Sequence, residues 1–328
     1  MNLDQLVKDF LEYLEIERNV SQLTIRNYAH YLRRFLGFLA TQIPSPARNA
    51  THSVAGGPAV KTVKDLTNKD ITNETIREYR LYLSRFVDEH GISLKRVTQN
   101  YHLIALRSFL KYCLKRDVAV VAPEKIDLPK AESRSIKFLE REQVERLLQM
   151  PEISKADGLR DKAILETLFS TGLRVSELTN LNRDQINFDR REFGVIGKGR
   201  RPRVVFLSES AVEWLQRYLA NRTDESIALF IRYAGKKPDA DDKNGESFRL
   251  TPRSVQRLVE KYVKKARLPI KITPHGLRHS FATDLLTGGA DLRAIQEMLG
   301  HKNVSTTQIY THITNPQLKE IHNKYHRK

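Results

Sequence analysis

The amino-acid sequence predicts a mainly α-helical protein of two domains, the second of which carries a small antiparallel β-ribbon. Apolar residues recur at three- and four-residue spacing through most of the chain, which is the pattern of helices with one buried face. One short stretch alternates instead with a period of two on either side of a glycine-bearing turn. The chain has 328 residues, which is about the length of two ordinary domains.

Four helices are predicted in the first domain, residues 1–120. One surrounds residues 6–14, the second begins at the N-cap Ser21, the third begins at Thr72, and the fourth runs through residues 101–112. The predicted buried positions of the last three are Ile25, Tyr28, Leu32, Phe35, Leu36 and Leu39, then Ile76, Tyr79, Leu83, Phe86 and Val87, then Tyr101, Ile104, Ala105, Phe109 and Tyr112.

Two segments interrupt the helical pattern before the second domain. Residues 41–65 are rich in Pro, Gly, Ser, Ala and Thr, which predicts a flexible surface insertion. Residues 121–137 contain two prolines among mixed charges, which predicts the linker between the domains. The second domain then covers residues 138–328.

Helices and one β-ribbon are predicted in the second domain. Amphipathic helices cover residues 140–150 and 159–170, and the period-two strands are Arg191–Ile196 and Arg203–Leu207. A later helix is capped by Thr251 and has Pro252 as its first residue. Its predicted buried residues are Val255, Leu258, Val259, Tyr262, Val263 and Ala266. Residues 233–248 are predicted to form a polar loop.

Charge and cysteine content exclude several classes of protein. The 56 Lys and Arg residues against 39 Asp and Glu give a net charge of +17, which favours a polyanionic partner. The single cysteine, Cys113, excludes an internal disulfide and a cysteine-based zinc cluster and predicts a reducing compartment. The N-terminus carries acids where a signal peptide needs a basic region, and no stretch is long enough to span a bilayer. We therefore expect an intracellular protein that does not enter a membrane.

The run Ile272–Ile313 begins with a predicted helix start that is followed closely by basic side chains. Thr273 and Pro274 fit an N-cap and a first helical residue, which places His275 in the first turn and Arg278 three residues further along the same face. A helix N-terminus favours anions, so both side chains could donate to a phosphate presented there. Taken alone, each is more simply explained as a capping or surface histidine and a solvated arginine.

Two other interpretations of these motifs are weaker. His275 and His279 are four residues apart, but no carboxylate or cysteine stands at a companion spacing, so we do not expect a zinc site. Gly194, Gly197 and Gly199 faintly resemble a nucleotide-binding loop, yet no Ser or Thr follows the lysine and no helix opens there. Local context alone leaves Lys198 as an exposed lysine of a hairpin turn.

Five motifs become specific when they are taken together. In chain order they are TGLRVSEL at residues 171–178, Lys198 in the hairpin turn, HGLRH at 275–279, LGH at 299–301, and Tyr310 nine residues later. Their order and separations resemble the tyrosine recombinase, or phage integrase, family, most closely its Xer-like members. The resemblance implies an N-terminal four-helix, SAM-like core-binding domain followed by a catalytic domain with the tyrosine recombinase fold.

The same resemblance assigns roles to individual residues. Arg174 and Arg278 would hold the scissile phosphate, Lys198 would protonate the leaving 5′ oxygen, His275 would accept the proton of the attacking phenol, His301 would bond a phosphate oxygen, and Tyr310 would be the nucleophile. Glu177 matches an acidic position that steadies the site. Apart from Glu177 the motif residues carry no carboxylate to hold a catalytic Mg²⁺, so we expect no metal and no other cofactor.

The implied activity is site-specific recombination, in which strands are cut and rejoined through a covalent 3′-phosphotyrosyl link without ATP. The implied partners are double-stranded DNA with a specific site and further copies of this chain or a paralogue, in a tetramer on two duplexes. The C-terminal segment, residues 315–328, would dock on a neighbouring subunit. The expected role is resolution of chromosome or plasmid dimers at cell division, in the cytoplasm of a prokaryote at its nucleoid.

Several alternatives stay open at this point. The chief rival is the integrase or recombinase of a mobile element, although the chain shows no N-terminal arm-binding segment of the lambda type. A type IB topoisomerase shares the chemistry but rejoins the same strands, and an inactive DNA-binding relative would keep only the fold. The segments 41–65 and 233–248 are longer than a minimal Xer-like chain needs, which leaves their partner contacts unassigned.

Overall fold

Two units make up the structure, a computed structural model, and each has its own hydrophobic core. They are Met1–Ser133 and Arg134–Lys328. The structure describes residues 1–42, 62–128, 137–197, 202–235, 242 and 244–300. Outside the described residues lie Lys198, His301, Tyr310, the segment 315–328, and parts of the predicted insertion, linker and polar loop.

The first unit contains the four predicted helices. They are α1 (Leu3–Ile16), α2 (Gln22–Gln42), α3 (Asn73–Arg85) and α4 (Arg96–Lys115). The predicted cap Ser21 is confirmed, because its hydroxyl accepts from the Thr24 N–H at 3.3 Å. The predicted helix start at Thr72 is also an N-cap, whose hydroxyl accepts from the Thr75 N–H at 3.1 Å. The starts of α2 and α3 are therefore fixed by hydrogen bonds within the first turn of each helix.

Two predicted core positions of the first unit are exposed. Val87 is 55% exposed because α3 ends at Arg85 and the chain then turns away from the helical path. Tyr101 is 50% exposed and stacks on Tyr31, because the buried face of α4 is displaced by one residue. That face comprises His102, Leu103, Ala105, Leu106, Phe109, Leu110, Tyr112 and Cys113.

The ends of the predicted insertion, residues 41–65, and of the predicted linker, residues 121–137, contain helical residues where the structure describes them. Thr41 still belongs to α2, and Val63–Asp65 forms a 3₁₀ helix. Another 3₁₀ helix, Pro123–Lys125, lies near the start of the predicted linker, and Pro123 and the following Ile126 are buried, the latter in the core of the first unit. Three apolar side chains of the predicted linker, those of Val121, Ile126 and Leu128, therefore pack on that core.

Helices dominate the second unit. They are α5 (Arg141–Leu148), α6 (Ala156–Thr171), α7 (Val175–Thr179), α8 (Glu209–Ala220), α9 (Pro252–Lys265), α10 (Pro274–Thr287) and α11 (Leu292–Leu299). The predicted ribbon is confirmed as antiparallel β1 (Glu192–Ile196) and β2 (Pro202–Phe206), with Gly194 opposite Val204. The predicted polar loop contains a short 3₁₀ helix, Glu246–Phe248.

Side-chain caps begin α9 and α10, and α10 carries the HGLRH motif. The Thr251 hydroxyl accepts from the Ser254 N–H at 3.2 Å, and α9 buries the predicted apolar face. The Thr273 hydroxyl accepts from the Gly276 N–H at 3.4 Å, with Pro274 as first residue of α10. His275 therefore lies in the first turn of a helix, as predicted.

Helix α6 is not amphipathic as predicted, because α5, α8 and α10 pack around it and bury it on all sides. Its charged residues Asp161, Lys162 and Glu166 are buried with the apolar ones. They are paired: Lys162 Nζ lies 2.7 Å from a Glu166 oxygen, and the Tyr262 hydroxyl donates to Asp161 at 2.9 Å. The result is a rigid central helix whose end leads directly into Arg174.

No helix in the described ranges is long and apolar enough to cross a membrane.

Candidate active site

The site is built around the turn that ends α6. Gly172 terminates this helix with a φ of +59°, a conformation that favours glycine. A Cβ at this position would lie 2.4 Å from the Phe281 ring of α10, so a larger residue would also clash. Two residues later Arg174 becomes the N-cap of α7. The turn therefore places Arg174 at a fixed point between α6 and α10.

Glu177 holds Arg174 in two ways. The Arg174 main-chain N–H donates to Glu177 Oε2 at 2.8 Å, and its Nη1 donates to Oε1, also at 2.8 Å. The Arg174 side chain is 29% exposed, whereas that of Glu177 is 5% exposed. The guanidinium is thus fixed from beneath by a buried carboxylate and is accessible to a ligand on its other side.

A second arginine, Arg203 of β2, binds the same carboxylate. Its Nη1 donates to Glu177 Oε1 at 3.0 Å and its Nη2 donates to Oε2 at 2.7 Å, in a bidentate pair. Its Nε donates to the main-chain oxygen of Met298 in α11 at 3.1 Å. One side chain therefore links the β-ribbon, α7 and α11.

These hydrogen bonds determine the charge of Glu177. Burial alone would raise the pKa of its carboxyl, but the bonds from Arg203 and from the Arg174 N–H and side chain outweigh burial and lower the pKa to about 2. Glu177 is therefore ionised at neutral pH. It compensates part of the positive charge of the two guanidinium groups that surround it.

Arg278 lies beneath the site and is 1% exposed. Its Nη1 donates to the main-chain oxygen of Gly172 at 2.6 Å, and its Nη2 donates to that of Leu299. One buried guanidinium thus joins the three motifs that contain Gly172, Arg278 itself and Leu299. The interpretation of Arg278 as a solvated charge is wrong, and so is the expectation that the start of α10 presents it at the surface, because α6 and α11 close over it.

His275 stands exposed at the start of α10 with His279 one turn behind it. The two rings meet edge to face, with centroids 4.4 Å apart. Partial desolvation of the ring by the surrounding protein and the nearby charges of Arg278 and Arg174 lower the pKa of His275. Burial, His275 and Arg278 lower the pKa of His279 to about 4. Both imidazoles are therefore neutral at neutral pH.

Four of the residues singled out in the sequence come together: Arg174, Glu177, His275 and Arg278. Lys198, His301 and Tyr310 lie outside the described residues, although Lys198 falls between the two described strands and His301 follows the last described residue, Gly300. Within the described ranges, no group of three or more His, Cys, Asp or Glu side chains could hold a metal ion.

Sequence reasoning missed Arg203. Its position near the start of a strand marks it only as one more basic residue of a basic protein. The usable signal is the period-two pattern, in which Arg203 lies on the same side of β2 as the buried Val205. A charged residue on the inward side of a strand requires a buried partner, and Glu177 is that partner.

The arrangement is suited to an oxyanion. Two guanidinium groups bind a single carboxylate and a third, that of Arg278, is held by carbonyls of the same turn and of α11, so the centre carries excess positive charge. Fixed cationic donors of this kind stabilise charge that develops on phosphate oxygens.

Comparisons with known proteins agree with this geometry. Residues 137–316 match the model of the phage integrase family, and residues 7–63 match that of the phage integrase N-terminal SAM-like domain. Tyrosine recombinase XerC of Pelotomaculum thermopropionicum is 35% identical over 321 residues, which cover 98% of this chain and 97% of the relative. Tyrosine recombinase XerD of Staphylococcus haemolyticus is 31% identical over 99% of both chains.

A solved structure shows the same fold. The Tn1549 transposon integrase in complex with transposon right end DNA aligns with a TM-score of 0.68 over 98% of this chain and 99% of that chain, at 20% identity. At this identity the likeness bears on the fold alone. The predicted fold class, with its SAM-like helical domain and its helical domain with a small ribbon, is confirmed. The matched family model and the two full-length relatives show that the chain belongs to the phage integrase family, as an Xer-like tyrosine recombinase.

Proposed function

We propose that this protein recombines double-stranded DNA at a specific site by using Tyr310 to form a transient covalent link to a 3′ phosphate. The observation that carries the proposal is the pair Arg174 and Glu177, locked at the N-terminus of α7 above the buried guanidinium of Arg278. This pair supplies what an attacked phosphodiester needs: a fixed, accessible guanidinium at a site with excess positive charge.

Charge neutralisation falls to the two arginines. When a nucleophile attacks phosphorus, negative charge builds on the non-bridging oxygens, and Arg174 offers its accessible N–H groups to them. Arg278 contributes its charge from below and fixes the carbonyls of Gly172 and Leu299, so the turn before Arg174 and the end of α11 keep their positions.

His275 is suited to accept the proton of the nucleophile. A phenol with an unperturbed pKa of about 10 is a weak nucleophile at neutral pH, so it requires a nearby base. The lowered pKa of His275 keeps its ring neutral and able to accept that proton. Its exposed position in the first turn of α10 supports this role.

The remaining roles follow the positions of the family motifs. The Tyr310 oxygen bonds to phosphorus while the bond to the 5′ oxygen breaks, and Lys198 gives that oxygen its proton. His301 donates to a phosphate oxygen. The 5′ hydroxyl of a second strand then attacks the phosphotyrosyl ester and releases Tyr310, so the bond energy is conserved and no ATP, metal or other cofactor takes part.

The partners follow from the reaction. Most of the net charge of +17 would contact DNA phosphates outside the site, so affinity should fall steeply with salt. Exchange between two duplexes needs four active sites, which we assign to a tetramer of this chain or of this chain with a paralogue, linked through residues 315–328. The task we assign is resolution of chromosome or plasmid dimers, in the cytoplasm at the nucleoid, and the similarity to tyrosine recombinases XerC and XerD supports the recombinase activity.

A nicked suicide duplex tests the chemistry. The duplex carries the dimer-resolution site of the protein's own genome, with a nick that lets the cleaved 5′ end diffuse away. The natural chain should accumulate a covalent adduct, and Tyr310→Phe should form none while binding the same DNA. An adduct that persists in Tyr310→Phe would overturn the assignment of the nucleophile.

Two further measurements separate the neighbouring functions. Exchange of strands between two labelled duplexes identifies a recombinase, whereas relaxation of a supercoiled plasmid without exchange identifies a topoisomerase. The mass of the complex with two duplexes gives the number of subunits. A complex with one subunit per duplex would contradict the tetramer.

A further inference from the structure

Arg203 has no part in the roles assigned above, yet its side chain connects three elements of the site. Its side chain is 9% exposed, and its three described hydrogen bonds reach both oxygens of Glu177 and the main chain of Met298. A Cβ on Gly300 would lie 3.1 Å from its Cδ, so the chain turns closely around the arginine at the end of α11.

Each oxygen of Glu177 is shared between the two arginines. Oε1 accepts from Arg174 Nη1 at 2.8 Å and from Arg203 Nη1 at 3.0 Å. Oε2 accepts from the Arg174 main-chain N–H at 2.8 Å and from Arg203 Nη2 at 2.7 Å. Without Arg203 the carboxylate would lose its bidentate partner and could rotate about its terminal bond, so the bond that orients the Arg174 guanidinium would loosen.

We propose that Arg203 is a positioning residue that sets the orientation of Arg174 through the carboxylate of Glu177. The inference rests on the proposed function, in which Arg174 neutralises the scissile phosphate. Arg203 touches no reacting atom. It acts indirectly, because it holds Glu177 in the rotamer that orients Arg174. Its bond to Met298 anchors this arrangement to α11.

Substrate chemistry distinguishes positioning from mere stability. If a methyl group replaces one non-bridging oxygen of the scissile phosphate, the diester becomes neutral and less negative charge develops as phosphorus is attacked. A defect caused by a misplaced Arg174 should therefore shrink on this methylphosphonate. A defect caused by general loss of structure should be the same on both substrates.

The test compares Arg203→Met with the natural chain in single-turnover cleavage at saturating protein. On the phosphate duplex we expect cleavage to slow by about 100-fold, because a small misplacement of a catalytic group has effects of this size. On the methylphosphonate, tested as each separate diastereomer, we expect the difference to shrink by about tenfold or more for one of them. DNA affinity should stay unchanged.

Arg174→Ala and Arg222→Met are the matched references. Arg174→Ala should be slow on phosphate and rescued on the same diastereomer. Arg222 is a similarly buried arginine of the second unit that donates to the carbonyls of Ala228 and Leu229 and pairs with Asp224. Arg222→Met loses a comparable set of bonds away from Glu177, so it should cleave both substrates at the natural rate below its unfolding temperature.

The outcomes separate the two proposals. Equal slowing of Arg203→Met on both substrates, with Arg174→Ala rescued, would overturn the positioning role alone, as would cleavage at the natural rate. Cleavage of phosphate by Arg174→Ala at the natural rate would overturn the proposed function.

If Arg203→Met fails to fold, Arg203→Lys replaces it, because lysine keeps the charge but cannot bind both oxygens of Glu177. The double variant Arg203→Lys, Glu177→Gln should cleave no more slowly than Glu177→Gln alone. If the two losses of cleavage rate multiply in the double variant, Arg203 does not act through Glu177.

Discussion

The core of residues 1–128 and the arginine centre of the second unit are stabilised by different forces. In the first, aromatic rings pack on one another: the Phe10 ring lies 5.7 Å from that of Phe109, and Phe35 lies 4.9 Å from Tyr79. Among the described residues of that unit, His102 is the one buried polar side chain. In the second, Glu177 and Arg278 are buried and held by directional hydrogen bonds.

The difference shows what each region must accomplish. Apolar packing is strong but not directional, so it tolerates small shifts of the groups that it holds. In the proposed function Arg174 meets a phosphate oxygen, which requires a fixed direction, and hydrogen bonds supply direction. Substitutions in the first region should therefore affect folding before chemistry, whereas the site should show the reverse.

The largest expected effect on stability in this comparison is in the aromatic core. Phe109→Ala leaves a cavity beside Phe10 and should lower the free energy of unfolding by about 3–5 kcal/mol. Urea unfolding measures this change. Leu114→Ala, on the same helix but at a 42% exposed position, is the control and should change stability by less than about 0.5 kcal/mol.

Cleavage by Phe109→Ala should stay near the natural rate while the protein is folded. Lost cleavage without lost stability would break the contrast between the two regions.

Acid should destabilise the protein through Glu177. Its pKa of about 2 is depressed from an ordinary value of 4.5, so its contribution to stability is complete above pH 4.5 and is lost as the pH falls toward 2. Between pH 6 and pH 3 the natural chain should lose about 2 kcal/mol that Glu177→Gln does not lose. Urea unfolding of both chains across this range measures the difference, and parallel pH profiles would refute it.

The smallest expected effect tests a buried polar contact of the first unit. The Tyr79 hydroxyl lies 3.2 Å from His102 Nδ1, and burial and the nearby charges of Arg34 and His30 lower the pKa of His102 to about 4, so its ring is neutral and can accept this bond. Tyr79→Phe should cost about 1 kcal/mol. Thermal unfolding measures it against Tyr82→Phe of the same helix, and a cost several times larger would show that this unit also depends on a polar network.

Helix starts and the ribbon could be predicted because their signals are local. Thr72, Thr251 and Thr273 each cap a helix by accepting from an N–H three residues later. Both partners of such a cap lie in one short stretch of sequence, so the sequence shows it directly. Helix α6 was predicted as a helix, but its amphipathic character was wrong because three helices surround it. A helix buried on every side shows no face that periodicity can reveal, and its charges suggested an exposed side that does not exist.

Sequence alone determined the family of this protein: the order and spacing of its basic motifs, the caps and the apolar periods all lie in local stretches of chain. Only the tertiary structure decided how those motifs are joined. The bond from Arg278 to Gly172 spans 106 residues and that from Arg203 to Glu177 spans 26. Such contacts depend on which helices pack together, and no local pattern records that choice, so the buried arginines that orient the site became visible only in the folded chain.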